Sequence, residues 1–216
     1  MKQSRNNNSD QQRFGSAILL AGGESRRMGF DKQTLRRGSE PLAHEIIEKL
    51  KAHFDDVIVS TNAPSFYDVF QNDEQVQTIV DTLPGHGPLS GLHACLPAAK
   101  SQFVFVMACD MPYFDAAFLY LLKEKLQPAI ACDGLVTRLD GGFIEPFMSF
   151  YHHDLHDDIA IAIAKGYRSL QRFCEAHHFL YLSEQEARSV SPELRVFQNL
   201  NHPEDVAVWR RTTVLN

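Results

Sequence analysis

The sequence predicts an α/β domain of three layers, α/β/α, whose sheet is mostly parallel and carries an antiparallel hairpin as an excursion. Three observations predict this fold. Short continuous apolar runs recur from residue 16 to residue 107, segments with helical spacing alternate with them, and a Gly-rich turn separates two apolar runs farther along the chain. Continuous apolar runs are typical of strands buried on both faces, and their alternation with helices predicts right-handed βαβ units.

Four apolar runs in the first half predict strands, and three further segments predict helices. The strands are expected at residues 16–21, 57–59, 78–80 and 103–107, and the helices at residues 41–51, 88–99 and 116–126. The segment 41–51 shows the helical spacing, because Leu42, Ile46 and Leu50 fall on one side of it. Pro41 suits the first turn of that helix.

The second half is less regular. Apolar runs at 135–139 and 143–151 flank Asp140-Gly141-Gly142, which predicts a hairpin. Helices are expected around 154–164 and 169–177, a strand at 179–182, and a last helix that begins near Pro203 and includes Trp209. The chain shows no internal repeat or linker, so one domain is predicted over residues 14–216. Residues 1–13 are polar and lack a periodic pattern, which predicts a flexible N-terminal tail.

Composition narrows the class of protein. The 216 residues include 21 Lys and Arg against 27 Asp and Glu, which gives a formal net charge of −6, and 44% are hydrophobic. That apolar share excludes a wholly disordered chain, and the acidic balance argues against a nucleic-acid binder. No apolar run approaches the roughly 18 residues that span a bilayer, so no membrane partner is expected. The four cysteines form no C-x-x-C pair and no secretory signal precedes them, which predicts a reduced, cytoplasmic protein.

A Gly-rich, basic loop follows the first predicted strand. Gly22 and Gly23 come directly after the strand, and ligands of parallel sheets bind beyond such strand ends. Glycines let backbone N–H groups approach an anion, so the loop suits a polyphosphate. The alternative is a turn with a solvated basic face. The loop is not a P-loop, because Phe30 follows Gly29 where that motif needs Lys. The basic residues of the loop are Arg26, Arg27, Lys32, Arg36 and Arg37.

Residues 20–32 fit the pattern L-A-G-G-x-S-x-R-M-G-x-D-K, which resembles the signature of nucleotidyltransferases with a Rossmann-like fold. Within that group the pattern is most similar to the molybdenum cofactor guanylyltransferase family. Four later segments resemble the family's motifs and follow in the family's order. They are Gly87-Pro88-Leu89-Ser90-Gly91, Cys109-Asp110-Met111-Pro112, Glu145-Pro146 with the apolar run after it, and Asn199-Leu200-Asn201-His202-Pro203-Glu204.

The resemblance implies a Rossmann-like nucleotidyltransferase fold and a specific reaction. The family transfers GMP from GTP to molybdopterin with Mg²⁺ and releases pyrophosphate, so GTP and molybdopterin are the expected substrates. Transient contact with molybdoenzyme maturation proteins is also expected. A cytidylyltransferase for the same pterin, or a sugar- or polyol-phosphate nucleotidyltransferase, is an open alternative. All of these enzymes would share the phosphate cradle, which is the Gly-rich loop at Gly22 and Gly23. A GTP-binding module without catalysis is disfavoured, since Lys32 and Asp110 are both present.

The resemblance assigns the catalytic roles to Lys32 and Asp110. Lys32 would contact the GTP phosphates, and an ammonium is a suitably compact charge. Asp110 would bind Mg²⁺, which prefers hard oxygen ligands and often takes only one or two protein carboxylates. The alternatives are a surface lysine at position 32 and, for Asp110, a helix cap near Asp115. Asn201 is either a second metal contact or the N-cap of the last helix.

The nucleotide-binding residues are carried over in the same way, and two of them are ambiguous. Asp81 ends the third predicted strand, where the alternative is a turn-forming Asp. After the second strand either Ser60 or Asn62 takes the family's Asn position. The expected nucleotide-binding set is Leu20, Ala21, Gly22, Gly23, Arg27, Lys32, Asn62, Asp81 and Asp110, and the expected metal ligands are Asp110 and Asn201.

Overall fold

A computed structural model describes residues 10–22, 32–81, 83, 85–128 and 131–212 of the chain. These residues form a seven-stranded sheet in the order β3-β2-β1-β4-β6-β5-β7. The strands are β1 (Ser16–Leu20), β2 (Asp56–Ser60), β3 (Val76–Ile79), β4 (Phe103–Ala108), β5 (Gly134–Arg138), β6 (Ile144–His152) and β7 (Phe179–Ser183). Only β6 runs against its neighbours: it is antiparallel to both β4 and β5, and the other described pairs are parallel.

Helices cover both faces of the sheet. The α-helices are α1 (Leu42–Lys51), α2 (Pro88–Cys95), α3 (Ala116–Leu126), α4 (His156–Ala164), α5 (Leu170–Glu175), α6 (Glu184–Val190) and α7 (Pro203–Arg211). The apolar side chains of α1, α3, α6 and α7 pack on one face, and those of α2, α4 and α5 pack on the other. Helices on both faces explain why the central strands are apolar throughout.

Strand β1 shows how the two cores share one sheet. All five of its residues are buried. Ala17 and Leu19 belong to the core under α1 and α3, whereas Ile18 and Leu20 belong to the core under α2 and α4. Side chains of a strand alternate between the faces of a sheet, so a continuous apolar run fills both cores at once.

The predicted α/β fold is confirmed, including the antiparallel excursion of the hairpin β5–β6. Sequence reasoning missed helix α6. Its N-cap is Ser183, whose Oγ accepts a hydrogen bond from the Glu186 backbone N–H, while the Glu186 carboxylate accepts one from the Ser183 N–H. This capping box was visible in the sequence as S-x-x-E. The helix itself is short and buries only Ala187, so it has no apolar stripe.

The N-terminal segment differs from the flexible tail expected through residue 13. Residues 10–14 are helical, and the Gly15 N–H donates to the Gln11 carbonyl. The Gln11 side chain also donates to Asp55, and the Arg13 guanidinium donates to the Leu126 carbonyl. Phe14 completes the attachment, since it is 1% exposed and packs in the core under α1. Among the described residues, no helix combines the length and apolarity that a bilayer crossing requires.

Candidate active site

The carboxyl ends of β1 and β4 border a cleft of about 180 Å³. Strand β6 begins at this same edge of the sheet because it runs in the opposite direction. The cleft therefore lies where open parallel sheets bind their ligands. The described residues that line it are Leu20, Ala21, Gly22, Lys32, Gly87, Pro88, Ala108, Cys109, Asp110 and Phe147.

Lys32, Asp110 and Asn201 meet at one point beside this cleft. The Lys32 Nζ donates to Asp110 Oδ2 at 2.5 Å and to Asn201 Oδ1 at 2.6 Å. These residues are far apart in the chain and were assigned separately from the sequence. The structure thus brings the expected phosphate-binding cation and both expected metal ligands together, and a carboxylate and an amide oxygen converge on one cationic group.

Neighbouring contacts hold the three side chains in place. The backbone N–H of Leu200 donates to the Asp110 carbonyl at 2.9 Å, which fixes the segment before α7 against the end of β4. On the other side, Lys32 opens a short 3₁₀ helix whose next residue, Gln33, is buried. The Gln33 side-chain oxygen accepts hydrogen bonds from the hydroxyls of Thr61 and Tyr67, both at 3.1 Å.

The structure decides two alternatives that the sequence left open. The N-cap of α3 is Asp115, whose Oδ1 accepts from the Ala117 N–H at 2.7 Å, so a capping role for Asp110 is wrong. The residue before the first turn of α7 is His202, so Asn201 is not the N-cap. The Asn201 side-chain oxygen is instead directed to Lys32. Both residues are therefore available for chemistry.

Gly22 lies between the ends of β1 and β2. The Ala21 N–H continues the ladder by donating to the Ser60 carbonyl at 2.8 Å. The Asn62 side-chain nitrogen is 3.6 Å from the point where a Cβ on Gly22 would stand, whereas the Ser60 hydroxyl is buried against Gly91 of α2. Asn62 is thus the residue of this pair that borders the expected cradle, although its contact with a nucleotide stays a prediction.

Several residues of the Gly-rich, basic loop either lie away from the cleft or fall outside the described residues. Gly23 and Arg27, with the other residues from 24 to 31, are not described. Arg37 does not face the cleft: its guanidinium lies 5.3 Å from the Trp209 ring centroid and donates to the Thr212 carbonyl at 3.1 Å. Arg36 is exposed and donates to the Ser39 carbonyl. The Arg37 side chain therefore packs against α7, whereas the Arg36 side chain makes only a local hydrogen bond.

Asp81 is placed less favourably than expected. Its Oδ1 accepts from the Leu83 N–H at 2.8 Å, which is the turn-forming role considered as the alternative. Asp81 is not among the described residues that line the cleft with Asp110. Its nucleotide-binding role therefore stays a prediction.

Two residues near the start of β6 were not singled out from the sequence. Phe147 lines the cleft, and Glu145, two residues earlier, is buried at 6% exposure. Burial raises the pKa of Glu145 to about 7, the hydrogen bond from the Phe147 N–H opposes that rise, and the charge of Asp110 adds to it. The quoted Glu145-Pro146 motif marked the segment, but no sequence pattern indicates which of its side chains face the cleft.

Asn199 is another residue that the motif contained and the residue assignment passed over. Its side-chain oxygen is buried and has no hydrogen-bond partner among the described residues. It lies two positions before Asn201, in the segment fixed to Asp110 by Leu200. A second possible metal-holding group, His152, His153 and Asp154, lies at the far end of β6 and so at the opposite edge of the sheet from this cleft.

Comparisons with known proteins identify the family and agree with the fold. The family model described as the MobA-like NTP transferase domain matches residues 17–180. A molybdenum cofactor guanylyltransferase from Syntrophotalea carbinolica is 42% identical over 201 residues, which is 92% of each chain. A relative from Peptoclostridium acidaminophilum is 37% identical and covers 94% of this chain and 91% of its own length.

A solved structure has the same fold over most of its length. The crystal structure of molybdopterin-guanine dinucleotide biosynthesis protein A from Archaeoglobus fulgidus matches with a TM-score of 0.75 and 25% sequence identity. The match covers 89% of this chain and 95% of that one. A bifunctional IspDF protein from Campylobacter jejuni, at 17% identity and a TM-score of 0.69, shares the fold alone.

Proposed function

The chain belongs to the MobA-like NTP transferase family and is a nucleotidyltransferase, and from this premise we propose that it transfers GMP from GTP to molybdopterin and releases pyrophosphate. The observation that carries the proposal is the meeting of Lys32, Asp110 and Asn201 at the cleft beside Gly22. Phosphoryl transfers depend chiefly on positioning and on neutralising charge, and this cluster supplies both a cation and oxygen ligands.

The side chains fit a divalent cation, and we propose Mg²⁺. The fit rests on the donor set, since a carboxylate oxygen and an amide oxygen already converge on one cation, the Lys32 ammonium. Hard oxygen donors are those that Mg²⁺ prefers, and it commonly uses one or two of them from the protein. Asp110 and Asn201 would hold the ion, which when bound would neutralise charge on the phosphates.

The chain's own groups then take distinct roles. The Lys32 ammonium binds phosphate oxygens and stabilises the negative charge that moves onto pyrophosphate as it leaves. Backbone at Gly22, which has no side chain, lets the triphosphate approach the end of β1 closely. Gly87, at φ 63°, holds the start of α2 in a backbone conformation that other residues rarely adopt, and it lines the same cleft.

Base preference tests the guanylyl assignment. A ligand that binds only the native state raises stability by RT ln(1 + [L]/Kd), so the preferred nucleotide gives the largest increase in Tm. We expect GTP with Mg²⁺ to raise the Tm more than CTP, ATP or UTP at equal concentration. A larger shift with CTP would assign the chain to the cytidylyl branch instead.

Turnover tests the reaction itself. Wild-type protein incubated with GTP, Mg²⁺ and molybdopterin should release pyrophosphate, and omission of the pterin should abolish the release. Lys51→Met is a matched control for changes at Lys32, because Lys51 lies on α1 and pairs with Glu48 and Asp73. Nucleotide binding without pyrophosphate release under any of these conditions would identify a binding module.

The proposal extends to the cell. We expect the protein in the cytoplasm, where it would contact molybdoenzyme maturation proteins transiently as it delivers the dinucleotide product. Fractionation would test the location, and crosslinking in cells with and without molybdate would test the contact. Recovery of the protein with membranes would contradict the location, and the absence of molybdate-dependent crosslinks would contradict the contact.

A further inference from the structure

We propose that Phe147 is a specificity-determining residue for the acceptor: its ring forms the wall against which the ring system next to the acceptor's phosphate packs. This inference rests on the proposed function, since it concerns how the same cleft holds the second substrate. Three observations carry it: the position of β6 in the sheet, an irregularity in that strand, and the chemistry of the cleft lining.

The strand order separates the two substrates. At this edge of the sheet the carboxyl ends of β1 and β4 are followed by the start of β6. Gly22, Asp110 and Phe147, which belong to these three positions, line the cleft in that order. The attacking and leaving oxygens lie on opposite sides of the reacting phosphorus. If the triphosphate lies at the Gly22 end and Asp110 is beside the reacting phosphorus, the acceptor approaches from the β6 end, where Phe147 lies.

An irregularity in β6 directs Phe147 into the cleft. The pairing passes from Leu135–Phe150 to Thr137–Glu145, so one residue of β5 faces residues 146–149 of β6. Bulges of this kind are common next to active sites, where they change the direction of a side chain. Within it Met148 has a φ of 50° although it is not glycine and is fully buried. Such strain persists only where surrounding contacts impose it, and it is concentrated at functional sites.

Side chains on the same strand hold the bulge in this shape. The Tyr151 hydroxyl donates to the Pro146 carbonyl at 2.7 Å, and the Ser149 hydroxyl donates to the Phe147 carbonyl at 2.9 Å. The Glu145 carboxylate accepts from the Phe147 N–H at 3.2 Å. Both peptide groups of Phe147 are therefore bonded to buried side chains, so the backbone that carries its ring is held in place before any ligand arrives. A surface fixed in advance loses little entropy on binding.

The chemistry of the wall fits a ring rather than a phosphate. Phe147 is the one aromatic side chain among the described residues that line the cleft, and it is half-buried, so part of its ring is open to the cleft. It offers no hydrogen-bond donor to an anion. The acceptor of the proposed reaction carries its phosphate on a fused ring system, which supplies the apolar surface that such a wall can bind.

Steady-state kinetics of Phe147→Ala, with each substrate varied in turn, test the inference. Loss of one apolar contact in a pocket changes discrimination by roughly tenfold or more. We expect the KM for molybdopterin to rise at least about tenfold, while the Kd for GTP measured by calorimetry stays within about twofold of wild type. Phe147→Tyr keeps the ring and should retain the wild-type KM, whereas Phe147→Leu should fall between the two.

Phe143→Ala is the matched control, because Phe143 belongs to the same β5–β6 hairpin, is 48% exposed and does not line the described cleft. An unchanged molybdopterin KM in Phe147→Ala, an equal increase in Phe143→Ala, or a weakened GTP affinity would each overturn the assignment. If Phe147→Ala does not fold, the Tyr and Leu variants decide the matter by the same comparison. Failure of the wild type to turn over GTP and molybdopterin would instead overturn the proposed function itself.

Discussion

The cleft at the carboxyl edge of the sheet has two differently built parts: a nucleotide half at the ends of β1, β2 and β4, and an acceptor half at the start of β6. At the nucleotide half, regular parallel strands end and the functional groups follow them: Gly22 after β1, Asn62 after β2, Asp110 after β4. At the acceptor half, the antiparallel β6 presents residues from within the strand, and an irregular pairing exposes Phe147 and buries Glu145. If Phe147 contacts the acceptor as proposed, the nucleotide-binding groups follow regular strand ends, whereas selectivity for the second substrate lies on an irregular strand.

The halves also differ in how they treat charge. Asp110 is paired with an ammonium at 2.5 Å. Glu145 is buried with no cation among the influences that set its pKa. A buried carboxyl without a cationic partner favours its neutral form. The nucleotide half therefore holds an ion pair, whereas the acceptor half holds a buried carboxyl whose pKa is raised to about 7.

Asp110→Asn should give the largest effect, because it removes the charge that a divalent cation needs while keeping the shape of the side chain. Asn can still accept the hydrogen bond from Lys32, so the free energy of unfolding should change by no more than about 1 kcal/mol. We expect kcat to fall about a thousandfold or more, at the upper end of losing one transition-state contact. Pyrophosphate release across a Mg²⁺ titration, with a melt of each protein, measures both. Full activity at limiting Mg²⁺ would contradict the metal assignment.

Glu145→Gln should change stability at the acceptor half in a pH-dependent way. The native pKa of about 7 lies above the unfolded value of 4.5, so the protonated carboxyl stabilises the fold. That contribution is complete below pH 4.5 and is lost as pH rises through about 7. The variant is neutral throughout, so above pH 7 it should be more stable than wild type by up to about 3 kcal/mol.

Urea denaturation of wild type and Glu145→Gln at several values between pH 4.5 and pH 8 measures this difference. The two stability curves should coincide at low pH and separate towards neutrality. Glu186→Gln is the matched control: hydrogen bonds from Lys125 and Ser183 lower the pKa of Glu186 to about 2, so its contribution is lost only below pH 4.5 and its curve should run parallel to that of wild type over this range. Parallel curves for Glu145→Gln and wild type would show that the Glu145 carboxyl is not buried as described.

Lys32→Met should separate the effect of Lys32 on metal binding from its effect on turnover. The ammonium binds the same two oxygens that would hold the metal, so its removal should tighten Mn²⁺ binding measured by electron paramagnetic resonance in the absence of nucleotide. Turnover should nevertheless fall about a hundredfold in kcat, because a contact to the departing charge is lost. A raised KM for GTP with normal kcat would make Lys32 a docking residue only. Lys51→Met should change neither quantity.

The sequence was informative for the nucleotide half because strand ends there are marked by residue type. A continuous apolar run, followed by glycines or by Cys109-Asp110, locates both the end of a strand and the chemistry beyond it. The meeting of Lys32 with Asn201 could not be foreseen from spacing, since it depends on how α7 is fixed to β4 through Leu200. The motif order implied only that the segments belong to one family.

The side chains of β6 that face the cleft could not be predicted from the sequence, for a physical reason. A one-residue change in pairing reverses which side chains face the cleft, and the irregular pairing near Met148 has no distinct sequence signal. Arg37 illustrates a related limit. The sequence shows only that it belongs to the basic cluster of the loop, whereas in the structure its guanidinium contacts the Trp209 ring and the Thr212 carbonyl at α7.

Arg37→Met should give the smallest effect, and it tests whether the Arg37 guanidinium contacts the GTP phosphates. The guanidinium packs over the Trp209 ring and donates to the Thr212 carbonyl, so its loss should cost about 1 kcal/mol of stability. Because it does not face the cleft, the KM for GTP should stay within about twofold of wild type. Arg36→Met is the matched control, since the Arg36 side chain is exposed and donates to the Ser39 carbonyl, and the substitution leaves its backbone carbonyl free to accept from Arg210 as before. Melting curves and GTP titrations of both variants measure the two effects. A tenfold rise in the KM for GTP without a change in Tm would instead indicate that Arg37 contacts the phosphates and belongs to the nucleotide half.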